Sequence, residues 1–148
     1  MAATLFHNSF AVDDLERARK FYGEILECPE GRKLPNRVDF NFFGHHIVAH
    51  FAPEEVTGNN GRTISDEAAS PLKHFGVVMT LDDFRHTQAR LEQHGAEWIN
   101  KPMTTQKGTP REQMLMTVRD GCGNAIEFKG LQSPTDVYNV KDGGRAAK

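Results

Sequence analysis

The sequence predicts an α+β fold made of two similar modules, and three observations predict it. "LFHNSFAVDDLERA" near the start and "LKHFGVVMTLDDF" in the second half share one plan: a histidine just inside a strand-like run, two aspartates, then the opening of a helix. Each is followed by two or three further strand-like runs, so the order strand, helix, strands occurs twice. Modules of this size cannot bury their apolar faces alone and must share a core, and 148 residues are enough for one such core.

Residues 4–12 alternate. Phe6, Asn8, Phe10 and Val12 fall on one side and Leu5, His7, Ser9 and Ala11 on the other, which reads as a strand. Asp13 or Asp14 can cap the helix that follows. Leu15, Ala18, Phe21, Tyr22 and Ile25 then form a helical stripe that places Tyr22 in the core, and Pro29 and Gly31 end it. "NRVDFNFFGHHIVAHFAP" reads as two strands turning at Gly44, with Pro53 as the stop. Residues 53–71 are polar and read as a long surface loop.

The pattern restarts with a strand in "LKHFGVVMTL". Asp82 or Asp83 is the expected cap, and the helix "DFRHTQARLEQHG" closes at Gly95. His74 stands further ahead of its aspartates than His7 does, so a longer strand or a bulge is expected here. "AEWINKP" reads as a short strand, residues 103–111 as a loop, and "EQMLMTVRD" and "NAIEFKG" as strands joined by the turn "DGCGN". Cys122, in that turn, reads as exposed. Residues 1–130 are expected to form one domain, with modules at 4–53 and 71–130. Residues 131–148 form a polar tail, docked or disordered.

Composition excludes several classes. A formal charge of −2 argues against a nucleic-acid or membrane surface. The sequence has no run long and apolar enough to span a bilayer and no signal-like N-terminus. Two cysteines without CxxC spacing make a disulfide framework improbable and a cytoplasmic setting the expectation. Unpaired sheet edges and an apolar face on each module point to a homodimer. No phosphate-binding loop or nucleophile elbow is present.

The informative polar residues sit on the strands. Glu127 lies between Ile126 and Phe128, and a carboxylate there is costly unless it is paired or bound to metal. His7, His74 and Glu127 would make a 2-His-1-carboxylate set for Fe(II), Mn or a related ion, or a His₂Glu set for zinc. The residues alone leave a second reading open: half-buried histidines bonded to backbone carbonyls. His50 in "IVAHFAP" can be a fourth ligand, a proton-transferring group or a packed core histidine. His46 flanks the turn at Gly44 and reads as solvated, though it shares the face of Val48 and His50. His45 reads as solvated, and His86 and His94 as exposed helix surface.

"FHNSFAVDDLERARKFYGEIL" resembles the opening of vicinal oxygen chelate proteins, the superfamily of glyoxalase I, extradiol dioxygenases and bleomycin-resistance proteins. The matching positions are His7, Val12, Asp14, Leu15, Phe21 and Tyr22. "DGCGNAIEF" resembles its closing pattern, with Gly121 where proline is usual. Over residues 4–130 the resemblance implies paired βαβββ modules forming a curved, barrel-like mixed sheet with helices outside. It implies a divalent metal on His7, His74 and Glu127, with Fe(II) as the first choice and Zn, Ni or Mn as alternatives. The activity implied first is dioxygenase-like ring cleavage of a vicinal-oxygen substrate. Glyoxalase, lyase or isomerase chemistry is the alternative, and a non-catalytic drug binder is a third reading. Glyoxalase I enzymes carry a glutamate ligand near the position of His50, so a histidine there departs from that pattern and is read as the acid/base group. Extradiol enzymes place a tyrosine near the metal, and only Tyr22 and Tyr138 exist here. Lys107, Arg111 and Arg119 are the cations available to an anionic substrate.

Overall fold

The computed structural model describes residues 4–56, 62–64 and 68–138. Two four-stranded sheets dominate it, each ordered 1-4-3-2 within its own module. The first contains β1 (His7–Val12), β2 (Glu30–Leu34), β3 (Arg37–Phe42) and β4 (His45–Phe51). The second contains β7 (Phe75–Thr80), β8 (Glu97–Thr105), β9 (Gln113–Arg119) and β10 (Ala125–Leu131). Between them lies a short hairpin, β5 (Arg62–Ile64) with β6 (Ala69–Pro71). In both sheets the first strand pairs parallel with the last, and the other pairings are antiparallel. The sheets are curved and do not close into a barrel, and the module order is βαβββ in both.

Asp14 caps the first helix, its Oδ1 accepting from the Arg17 amide at 2.9 Å. That helix, α1 (Leu15–Ala18), widens into a π-helical stretch at Arg19–Ile25. Apolar spacing does not register this widening, because Ala18, Phe21, Tyr22 and Ile25 still share the buried face. The second helix, α2 (Leu81–Gln93), is capped by Thr80, whose side chain accepts from the Asp83 amide. Asp82 and Asp83 therefore lie in the first turn, where their charge suits the helix dipole, and neither is the cap. β1 and β7 are both six residues long, and His74 stands just ahead of β7. The spacing difference thus comes from one residue ahead of the strand, His74 itself, and one after it, Leu81, not from a longer strand.

Other expectations are corrected. β2 follows Pro29 as an exposed edge strand, and its charged residues conceal it from a hydrophobic reading. β8 runs on to Thr105, so the loop is shorter than residues 103–111. The stretch 53–71 is not all surface loop: it holds a 3-10 turn at Pro53–Glu55 and strands β5 and β6, with Ser70 buried. Residues 57–61 and 65–67 of that stretch lie outside the described residues, as do residues 139–148 of the tail. The tail's first part forms a 3-10 turn at Pro134–Tyr138.

The core gathers the helix-side faces of both sheets. Ile47 and Ala49 of β4 pack there, while Phe51 at the strand end is half exposed. Aromatic rings join the halves: Phe10 to Phe75 with centroids 5.0 Å apart, and Phe42 to Phe75 at 5.8 Å. Tyr22 is fully buried and donates to Asp120 Oδ2 at 2.7 Å, tying the first helix to the β9–β10 turn. Asp120 Oδ1 also accepts from the amides of Cys122 and Asn124, which organises the turn. Cys122 is buried, contrary to expectation, with its thiol against the Asp14 carbonyl. Cys28 is buried as well, and burial pushes both thiols up to about 12.

Candidate metal centre

Glu127 and His74 come together on the second sheet. Glu127 sits on β10 opposite Thr117 of β9 and Gly76 of β7. The β7–β10 approach requires glycine at 76, since a Cβ there would run into the Glu127 carbonyl. The odd-numbered side of β10 faces away from the helix, and Gly130 on the other side packs directly under Phe84 of α2. Glu127 is thus a half-buried carboxylate on the open face.

Its surroundings fix its orientation. Ser70 Oγ donates to Glu127 Oε2 at 3.1 Å, and Asn100 Nδ2 donates to Ser70 Oγ at 3.0 Å and to Thr117 Oγ1 at 3.2 Å. Lys129 Nζ lies 3.6 Å from Glu127 Oε1. His74 Nδ1 donates to the Pro71 carbonyl at 2.6 Å, which in the neutral ring leaves Nε2 as a lone pair. That nitrogen stands 3.7 Å from Glu127 Oε2, too far for a hydrogen bond. A lone pair and a carboxylate oxygen facing one another are satisfied by a shared cation, so the donor chemistry fits a divalent metal.

His7 lies elsewhere. On β1 it pairs with His46 of β4, and the two Nδ1 atoms are 2.8 Å apart. His46 Nε2 is 3.0 Å from Asp39 Oδ2, which also accepts from Arg32 Nε at 3.1 Å. Asp39 is buried; burial pushes its carboxyl up, but the His46 and Arg32 donors outweigh this and hold it below its ordinary value of 3.8. His50 is half-buried on the same face, 3.4 Å from Ser9 Oγ. Among the described residues, no group of three or more His, Cys, Asp or Glu converges on one metal position. One chain therefore presents two of the expected ligands together and the third on its other sheet. The rings that join the two sheets lie on the faces opposite His7 and Glu127.

His45 is exposed and accepts from the Phe6 amide through Nδ1, His86 is exposed, and His94 is half-buried at the helix end. Arg119 pairs with Glu97 at 3.6 Å, and Lys107 and Arg111 are exposed. Tyr138 is exposed at the end of its 3-10 turn. Sequence reasoning missed Ser70, Asn100 and Lys129. Lys129 alone was legible, two residues beyond Glu127 and so on the same strand face.

The comparisons with known proteins agree with this fold. The family model described as "Glyoxalase/Bleomycin resistance protein/Dioxygenase superfamily" matches residues 4–128. No curated protein matches the chain. Among solved structures, a glyoxalase/bleomycin resistance protein/dioxygenase from Alicyclobacillus acidocaldarius is 24% identical. That match has a TM-score of 0.70 and covers 91% of this chain and 96% of that one. A genomically encoded fosfomycin resistance protein from Listeria monocytogenes is 17% identical, with a TM-score of 0.65 over 88% and 95% of the two chains. A lactoylglutathione lyase from Agrobacterium tumefaciens is 15% identical, with a TM-score of 0.61 over 93% and 98%. At these identities the likeness is one of fold.

Proposed function

Because the chain belongs to the glyoxalase/bleomycin resistance protein/dioxygenase superfamily, we propose that it is a metal-dependent enzyme acting on a small substrate with two neighbouring oxygens. Its metal would be held by His74 and Glu127 of one chain and His7 of a second copy. Superfamily members generally use a divalent ion, bind small molecules and are often dimers. The observation that carries the reading is the split of the donor set: a complete pair on one sheet, and His7 on the outward face of the other.

A bound divalent ion supplies Lewis acidity to the substrate oxygens. The chain supplies the rest. Ser70 holds the Glu127 carboxylate in place, with Asn100 and Thr117 fixing Ser70 behind it. Lys129, beside Glu127, offers a cation to an anionic substrate. His50 is the group for proton transfer.

Two reaction classes compete. Lyase, isomerase or addition chemistry at Zn, Ni or Mn gains support from Lys129 and from the tyrosines. Burial, and after it the Asp120 carboxylate to which it donates, holds the Tyr22 phenol protonated well above its ordinary value, and Tyr138 faces solvent. Neither suits the phenol role of a ring-cleaving site. Fe(II)-dependent ring cleavage is the second reading, favoured by the donor set itself, which is the one non-haem iron oxygenases use.

Metal analysis of protein purified without added metal tests the proposal. Zinc, nickel or manganese near one ion per chain supports the first reading. Iron with oxygen uptake on catechols supports the second. His7→Ala, His74→Ala and Glu127→Ala should each leave the metal largely lost and the fold intact. Full occupancy in any of them removes that residue from the set, and metal-free wild type with tight binding of aromatic drugs would make the protein a binder.

A further inference from the structure

His7 is held differently from His74. The acceptor for His74 Nδ1 is a backbone carbonyl, which can only accept, so the tautomer of His74 is fixed directly. His7 Nδ1 faces another imidazole nitrogen, which can donate or accept, so its tautomer depends on what His46 does. Asp39 settles that. Its carboxylate only accepts, so His46 Nε2 must carry the proton of that 3.0 Å bond. The neutral His46 ring then has a bare Nδ1. The hydrogen between the two Nδ1 atoms must come from His7, and the bare nitrogen of His7 is Nε2. The rings have the geometry for this: they are tilted by only 22°, and their Nδ1 atoms, 2.8 Å apart, are much closer than the ring centroids at 4.8 Å. The nitrogens point at one another, edge to edge.

We propose that Asp39 and His46 are positioning residues for His7: Asp39 orients His46, and His46 locks His7 as the Nδ1–H tautomer with its Nε2 lone pair free for the metal. This rests on the metal reading above for its purpose, but not for its geometry. Arg32, which also donates to Asp39 Oδ2, keeps that oxygen turned toward His46. The result is that both proposed histidine ligands present the same nitrogen, His74 through a carbonyl and His7 through a carboxylate–imidazole relay. Hydrogen-bond partners that fix ligand tautomers in this way typically change metal affinity by roughly 10–100-fold when removed.

The test is nitrogen NMR of the His7 ring in the full chain without metal, at mildly alkaline pH where imidazoles are neutral. Wild type should show a protonated Nδ1 and a bare Nε2 at His7. His46→Phe keeps a ring but no nitrogens, and should return His7 to the Nε2–H form that free histidine favours. Asp39→Asn keeps an oxygen for the Arg32 and His46 donors, because Arg32 can only donate, and should preserve the wild-type tautomer. If His46→Phe does not fold, Asp39→Leu should leave His7 without a single tautomer. An Nε2–H His7 in wild type, or an unchanged Nδ1–H form in His46→Phe or in Asp39→Leu, overturns the proposal. Calorimetry with Zn²⁺ is the separate arm: His46→Phe should weaken binding roughly 10–100-fold. Zn²⁺ binding that ignores His7→Ala would defeat the metal reading, while the ring tautomer still decides the relay.

Discussion

His50 reaches Ser9 on the face that also carries His7 and His46. If it moves protons during turnover, His50→Ala should keep the metal and lose about 10²-fold in turnover, the scale of a missing general acid/base. Metal lost together with activity would make it a ligand, and unchanged turnover would leave it a packing residue. Asp39 lends itself to a pH experiment. A carboxylate whose folded value is depressed contributes stability above its unfolded value and loses it as pH falls through the folded one. The stability gap between wild type and Asp39→Asn should therefore be constant at neutral pH. It should narrow below about the ordinary 3.8, read by urea unfolding across the acid range. A gap that ignores pH would mean the carboxylate's charge contributes nothing there. Residues of this kind were only partly legible in the sequence. His7, His74 and Glu127 stood out because polar groups in apolar strands need a reason. Asp39 did not, because its value lies in a cross-strand neighbour that no local pattern reveals.

Among the elements, the β7–β10 pair is the most constrained, because Gly76 lets the two strands approach at the Glu127 carbonyl. Gly76→Ala should force them apart, lower stability by roughly 1–3 kcal/mol or more, and displace Glu127. Thermal melting and Zn²⁺ titration would report the two effects, and a variant that melts like wild type would mean the strands relax at no cost. At this scale the sequence told most where apolar residues alternate. β1, β3, β4, β7, β9 and β10 were placed by that alternation and by turns whose glycines, Gly44, Gly121 and Gly123, sit at positive φ. It told least where strands are polar or short. β2 lies fully exposed on a sheet edge, so nothing in its composition had to be apolar. The cap of α2 went to Thr80 because the helix starts two residues earlier than Asp82 as its cap would place it, leaving the threonine hydroxyl facing the first free amides.

The molecule as a whole carries two dissimilar halves of one proposed site. A dimer that completes each centre from opposite chains predicts a mixing result. His7→Ala and Glu127→Ala are each expected to bind little metal alone. After subunit exchange the mixture should regain part of it, because one of the two centres in each mixed dimer is whole. No recovery, with exchange verified by mass, would place all three ligands in one chain. A monomer at high concentration would exclude the shared centre outright. The family and the two-module plan were readable from both ends of the sequence. The separation of His7 from His74 and Glu127 was not, because it depends on which faces the aromatic rings join, and ring contacts between modules are long-range.

The two buried thiols have a use of their own. Cys28 follows the first helix, and Cys122 touches the Asp14 carbonyl from the other module's turn. Both are held protonated near 12, and alkylating reagents attack only the thiolate. Neither sulfur should react until its surroundings open, so labelling rates become clocks of local opening. Cys28 would time the loosening of the first half, and Cys122 the parting of the two halves. If the seam opens before either sheet melts, mass spectrometry under mild denaturant should find Cys122 modified first. Equal rates at both would mean that the two halves come apart and unravel in a single event.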